Sequence, residues 1–213
     1  MIIKSIKDLS ETSGSVCVTV GNENGEESFF LSPGEWKRIS KKTEYAPREL
    51  CEVSPELYDL ISEGAKRTAA LRSGAAVLSM GDKSKRELIK KLVMRGTKRK
   101  YAEYAADFLE KKGYLNEADQ AERAARSLVR GKHYGKRRVA SYLASHGYPP
   151  ETVSTAVCSV DDEEYRLALS YNIKKKFMFI LDPECSSDQR KKAVAALMRL
   201  GFSYDEIKNA LKK

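Results

Sequence analysis

A unit of about fifty residues recurs three times in the last two-thirds of this 213-residue chain. In each copy a helical stretch closes on Leu-x-x-x-Gly, and an apolar residue follows six positions after the glycine. The copies run Leu92, Gly96, Ala102; Leu143, Gly147, Val153; and Leu197, Gly201, Ile207. The glycines stand 51 and 54 residues apart, too regular for chance and too long for a helical pair, so three short helices per unit are predicted. Such units bury their apolar faces on their neighbours, which puts function on a stacked helical surface.

Charge separates the copies. The formal charge of +9 divides as −3 over residues 1–82, +11 over 83–150 and +1 over 151–213. Cations gathered in the middle favour a polyanion or an acidic protein groove, since they speed association and release counterions from a phosphate backbone. Cys17, Cys51, Cys158 and Cys185 are widely separated and form no CxxC pair, which reads as reduced thiols with no zinc site. The opening Met-Ile-Ile-Lys lacks the apolar core of a signal peptide, and no run reaches the eighteen or so apolar residues of a membrane span. A cytoplasmic protein that does not enter a membrane is expected.

The first thirty residues favour strands. Residues 15–20 are rich in β-branched side chains, and residues 27–31 follow the turn-forming Asn22, Glu23, Asn24 and Gly25, so a hairpin is predicted. Ser32, Pro33 and Glu35 then signal a helix start, with Trp36 and Ile39 carried on a short helix and a connector over 43–53. From Ser54 the periodicity is helical, with Leu57, Leu60, Ile61, Ala65 and Ala69 on one face and Gly64, Gly74 and Gly81 as interruptions or ends. Ser84 to Glu87 reads as a capping box before inward Leu88, Leu92 and Val93, and Asn116 as the cap of the next helix. The chain is thus expected to be mainly α, with a hairpin-containing module at 1–53 and helical repeats at 54–112, 113–158 and 159–213.

The middle repeat holds the clearest functional pattern. At 100° per residue, Ala121, Ala124, Ala125 and Leu128 share one side of a helix, while Arg123, Arg126 and Arg130 fall nearly opposite as a solvent-facing stripe. Residues 131–138 add Lys132, Lys136, Arg137 and Arg138 with Tyr134 between two glycines. The next helix points Val139, Tyr142 and Leu143 inward. Lys174, Lys175 and Lys176 form a smaller basic run. His133 in the basic loop suits a phosphate or solvent contact better than base catalysis, and His146 suits packing or a helix C-terminus. The acidic residues 161–164 suit the electropositive first turn of a helix. As consecutive acids on a helix they point apart and do not form a two-carboxylate site.

No phosphate-binding P-loop, dinucleotide GxGxxG or GxSxG elbow is present, so neither nucleotide binding nor an enzyme has support, and no cofactor is expected.

The segment GYLNEADQAERAARSLVRGKHYGKRRVASYLASHGY, residues 113–148, resembles the RecX family, regulators of the bacterial recombinase RecA. The resemblance extends over most of 54–213 and more loosely to the amino-terminal hairpin. It rests on a Gly-Tyr-Leu junction, an Ala/Arg-rich helix, a Gly-x-x-x-Gly turn with cations and a Leu-x-x-x-Gly close. The family usually has two acids after the junction Leu, where this chain has Asn116 and Glu117. Membership implies three tandem three-helix repeats in a curved, elongated array and no catalysis. It also implies binding along RecA–DNA filaments that alters their assembly, ATP hydrolysis and strand exchange in recombination and repair. Inhibition is the first expectation, although the sequence leaves the sign open.

On that reading, a monomer would meet the recombinase filament and single- or double-stranded DNA through one basic face. That face comprises Arg123, Arg126, Arg130, Lys132, His133, Tyr134, Lys136, Arg137, Arg138, Lys174, Lys175 and Lys176. Two other readings stay open: a helical DNA-binding module acting without a recombinase, and a basic scaffold for an acidic protein.

Overall fold

The computed structural model describes residues 1–9, 14–23, 25–43, 47–182 and 184–212. Within them the protein is mainly helical, with a three-stranded antiparallel sheet at the amino terminus. Strands β1 (Ile2–Leu9), β2 (Ser15–Asn22) and β3 (Gly25–Leu31) pair in sequence order. The pairing of β2 with β3 realises the predicted hairpin, with Val18 opposite Phe29 and Val16 opposite Leu31; Asn24 of the predicted turn lies outside the described residues. The third strand, β1, is the correction. Of its side chains only Ile3 is fully buried, so its own pattern is faint. Pairing with β2 and with residues 50–53 on its other edge makes it a strand, through Ile3 N–H to Cys51 O at 3.0 Å and Leu50 N–H to Ile3 O at 2.8 Å. That second row of bonds covers an otherwise open edge.

The chain forms two compact units, Met1–Gly81 with Leu88–Tyr114, and Asp82–Glu87 with Leu115–Lys213. In the first, the inward residues of the sheet, Ile3, Val16, Val18, Val20, Phe29 and Leu31, close on Ile39 of α1 (Pro33–Lys42) and Ile61 of α2 (Pro55–Ser79). Helix α2 runs unbroken for 25 residues through Gly64 and Gly74, which correct the expected interruptions. These glycines mark close approaches, since a Cβ there would lie 2.7 Å from Leu31 and 2.8 Å from Leu109. Ala69 is exposed and Ala70 buried, because the side of α2 facing the sheet and α4 (Arg99–Lys111) passes through Ile61, Gly64, Thr68, Gly74 and Val77.

Glu35 is a second difference. The helix start expected at Ser32 is made by one bond of a capping box only: Ser32 Oγ accepts from Glu35 N–H at 3.2 Å, but Ser32 N–H donates to Thr68 Oγ1 at 2.8 Å. The freed carboxylate turns inward, 4% exposed, and accepts from Arg38 at 2.7 Å and the Tyr104 hydroxyl at 2.8 Å, with Arg67 at 3.4 Å. Burying a carboxylate is costly without such partners.

Helix α3 (Lys85–Met94) is capped by Ser84, whose Oγ accepts from Glu87 N–H at 3.1 Å. It buries Leu88 and Leu92 but leaves Val93 42% exposed, against expectation, because Val93 lies a third of a turn off the inward row. The second unit contains α5 (Glu117–Lys132), α6 (Lys136–Ser145), α7 (Pro150–Cys158) and α8 (Asp162–Lys176), then α9 (Ser187–Arg199) and α10 (Tyr204–Ala210). Their shared core includes Ala121, Ala125, Val139, Leu143, Leu169, Leu197, Phe202 and Ile207.

The Leu-x-x-x-Gly pentad is a helix stop of one geometry. Gly96, Gly147 and Gly201 have φ of 88°, 87° and 99°. In each case the residue after the glycine donates back to the leucine carbonyl, from Thr97 at 3.0 Å, Tyr148 at 3.3 Å and Phe202 at 3.3 Å, which is a Schellman close. The leucines are fully buried, and Ala102, Val153 and Ile207 six positions after each glycine are buried as well. Burying a leucine contributes about 1.5–3 kcal/mol, while the glycine close satisfies the last carbonyls and ends the helix. Leu109 and Gly113 close α4 in the same way, so the pentad alone does not mark a repeat.

Candidate nucleic-acid interface

Helix α5 begins at Asn116, whose side chain accepts from Asp119 N–H at 3.3 Å, with Glu117 and Asp119 in the first turn and Arg130 and Lys132 in the last. Ala121, Ala125 and Val129 are buried while Arg123, Arg126 and Arg130 face solvent, the two-sided pattern expected. The stripe is nonetheless not a row of free guanidiniums. Arg123 meets Asp82 at 2.7 Å, Arg126 meets Glu122 at 3.1 Å, and Arg130 holds both Glu164 oxygens at 2.7 Å. Lys136 reaches Asp162 at 2.5 Å and lies 5.3 Å from the Tyr165 ring centroid. The hydrogen bond from Arg130 lowers the Glu164 carboxyl below its ordinary range, and that from Lys136 does the same for Asp162. The acidic residues 161–164 therefore serve twice, with Asp161 capping α8 and Asp162 and Glu164 tethering basic side chains. These pairs stand in water, where screening and side-chain entropy leave them weak enough to exchange for an incoming anion.

The basic loop is built by backbone contacts. His133 ends α5 at φ 53°, its carbonyl accepts from Asn172 Nδ2 at 2.8 Å, and its ring stacks on Tyr171 at 3.8 Å. This occupies the ring that the sequence pattern offered to a phosphate. His146 ends α6 as expected, with Nδ1 2.8 Å from Tyr142 O. Tyr142 corrects its inward assignment: it is 39% exposed and stacks on His146 at 4.0 Å, because the inner row of α6 is Val139 and Leu143, a turn apart.

Helix α6 has no capping side chain. The chain around its start docks on the close of α9 instead, with Gly135 N–H to Leu200 O at 2.8 Å and Arg137 N–H to Gly201 O at 3.2 Å. A Cβ on Gly135 would lie 2.5 Å from Gly201 backbone, so glycine is what permits the approach.

That contact brings side chains from three helices around one open cavity of about 360 Å³, lined by Tyr134, Arg138, Lys176, Phe177, Ala196, Arg199 and Leu200. Arg138 sits 5.5 Å over the Tyr134 ring. Of the cations singled out in the sequence, Lys132, Arg137, Arg138 and the run Lys174, Lys175, Lys176 form no ion pair with a described residue, and the same holds for Arg199. All seven are exposed. Phe177 and Arg199 escaped the sequence reading. Arg199 lies inside the Leu197–Gly201 pentad, but Met94 and Ser145 hold that place in the other two copies, so the repeat carried no signal for it.

Among the described residues no group of three or more His, Cys, Asp or Glu side chains could hold a metal ion, and no helix is long and apolar enough to cross a membrane.

No protein-family model matches the sequence. The regulatory protein RecX of Vibrio vulnificus (strain CMCP6) is 30% identical over 135 residues, covering 63% of this chain and 86% of that protein. The chain belongs to the RecX family. The regulatory protein RecX of Xanthomonas campestris pv. campestris (strain B100) is 28% identical over 148 residues, 68% of this chain and 87% of that one. A crystal structure of a regulatory protein RecX superposes with a TM-score of 0.80 at 14% identity, covering 100% of this chain and 99% of that one. RecX from Lactobacillus salivarius superposes with a TM-score of 0.61 at 18% identity, over 69% of this chain and 95% of that one. The mainly helical architecture with its small antiparallel sheet is therefore a RecX fold, and this RecX-family member is a regulator, not an enzyme.

Proposed function

We propose that this RecX-family protein regulates the bacterial recombinase RecA. It binds along RecA–DNA filaments in the cytoplasm and lowers their assembly, ATP hydrolysis and strand exchange during recombination and repair. One observation carries this reading: the exposed cations of the second unit that form no ion pair with a described residue, Lys132, Arg137, Arg138, Lys174, Lys175, Lys176 and Arg199. A filament on DNA offers a repeating track of phosphate and acidic surface, on which several weak charge contacts act together. The paired residues Arg123, Arg126, Arg130 and Lys136 form a reserve that joins the face when a phosphate displaces the chain's own carboxylate.

The test compares the wild type with an R137E/K174E/K175E variant in RecA ATP hydrolysis and strand exchange on single-stranded DNA. Arg130 is avoided, since a glutamate there would face Glu164. Wild-type protein well below one copy per recombinase subunit should inhibit, and the variant should require more protein and lose about 2–3 from its salt-dependence slope. No effect of the wild type at any ratio, or equal binding to bare and coated DNA, would replace this reading with a DNA-binding module that needs no recombinase.

A further inference from the structure

We infer that the cavity between Tyr134, Phe177 and Leu200 is a seat for one nucleotide of single-stranded nucleic acid, with the base against the aromatic wall and its phosphates on Arg138, Lys176 and Arg199. The composition of the cavity points there. Three exposed cations from α6, α8 and α9 meet at one mouth without a carboxylate from the described residues to neutralise them. Cations grouped in this way set up a positive local field that favours an anion. The walls beneath are apolar and partly aromatic, which suits a ring rather than a bare phosphate. Arg138, resting over the Tyr134 ring, presents a planar donor suited to two phosphate oxygens.

Size and shape select among nucleic acids. At about 360 Å³ the cavity is at the lower end of the roughly 300–1,000 Å³ range of small-ligand sites, which suits one nucleotide unit. A duplex keeps its base faces stacked inside and would reach the three cations only through phosphates. An unpaired strand can give the base to the rings as well. An acidic peptide matches the cations but leaves the rings without a stacking partner, so it is the weaker fit.

The inference rests on the filament reading for its biological setting and deepens it by naming what this cavity takes. Its test omits the recombinase, so that either can fail alone. Binding of the full chain to a fluorescent thymidine homopolymer and to a duplex is followed by anisotropy across a salt series. The double variant K176Q/R199Q, at two exposed side chains, should weaken single-strand binding about tenfold and reduce its salt slope by about 1.4, the value for two lost phosphate contacts. Phe177→Leu should weaken single-strand binding on the order of tenfold through lost stacking while leaving duplex binding unchanged. Phe177 packs against the core of the second unit, so a bromodeoxyuridine oligomer photocrosslinked to wild-type protein supplies a readout independent of folding, with the adduct expected on Tyr134 or Phe177. Adducts elsewhere, unchanged affinity in K176Q/R199Q, or competition by polyglutamate but not by the homopolymer would overturn the assignment. The last result would make the occupant an acidic protein segment.

Discussion

Two residues show how much one position can carry in this molecule. Glu35 is nearly buried and gathers Arg38, Arg67 and Tyr104. Removing it leaves Arg38 and Tyr104 without their acceptor and Arg67 without its counter-charge. The arginines are 36% and 21% exposed and can recover part of the loss from water, so Glu35→Ala is predicted to cost about 2–4 kcal/mol, toward the lower end for a broken buried pair. Urea unfolding checks this, and a cost under about 0.5 kcal/mol would mean the network is ornamental. At Gly201 two effects combine. Its φ of 99° is one that side chains resist, and an added Cβ would lie 2.3 Å from the Arg138 amide nitrogen. Gly96 shares the conformation but has nothing within 4 Å of its Cβ position. Gly96→Ala should therefore cost about 1–2 kcal/mol from backbone strain, and Gly201→Ala about 1–3 kcal/mol more from the clash. Equal costs would show that the docking of Gly135 on Gly201 is loose.

At the scale of elements, ends and tethers divide the work. Helix α10 spans seven residues and starts with a complete capping box, with Ser203 Oγ accepting from Glu206 N–H at 3.2 Å and Ser203 N–H donating to Glu206 at 2.6 Å. A helix that short depends on its cap, so Ser203→Ala should cost about 1 kcal/mol and loosen Ile207, measurable by thermal unfolding. Helix α5 is tied to α8 by Arg130 with Glu164, and Lys136 of α6 by Asp162. Both carboxyls titrate below their unfolded values. Their contribution is therefore present above the ordinary carboxylate range, about pH 4, and is lost as acid titrates through the lower folded values. The drop in melting temperature between pH 7 and pH 3 should accordingly shrink in a D162N/E164Q variant. A drop as large as the wild type's would assign acid sensitivity to other groups.

For the whole molecule, separate cores imply separate responses. The sheet, α1 and Ile61 form one hydrophobic cluster, and α5 to α10 share another. Hydrogen exchange in Gly201→Ala should accelerate at amides of 115–212 and leave the strands of 1–31 protected, while Glu35→Ala should do the reverse. Acceleration across both in either variant would indicate a single cooperative unit. What was legible in the sequence follows the range of the forces involved. The caps at Ser32, Ser84 and Asn116 and the glycine stops lie within five residues of the groups they satisfy, so local chemistry reveals them. The outward direction of the arginine stripe follows from helical period alone. Strand β1 was not legible, because its alternation is weak and its partners supply the order. Nor were the ion pairs of Arg123 and Arg130, whose acids lie 41 and 34 residues away.

Composition, periodicity and turn chemistry by themselves determined a mainly helical chain with a small strand module, the stops that end its helices, and a middle segment whose cations face outward. Only the tertiary structure decided which of those cations are free and which are neutralised by the chain's own acids, and that Arg138, Lys176 and Arg199 share one aromatic-walled cavity. Propensity and periodicity act along the chain and leave their mark in neighbouring residues. Ion pairing and cavity formation depend on distances in space, which are set only when Gly135 docks on Gly201 and the helices close on their core.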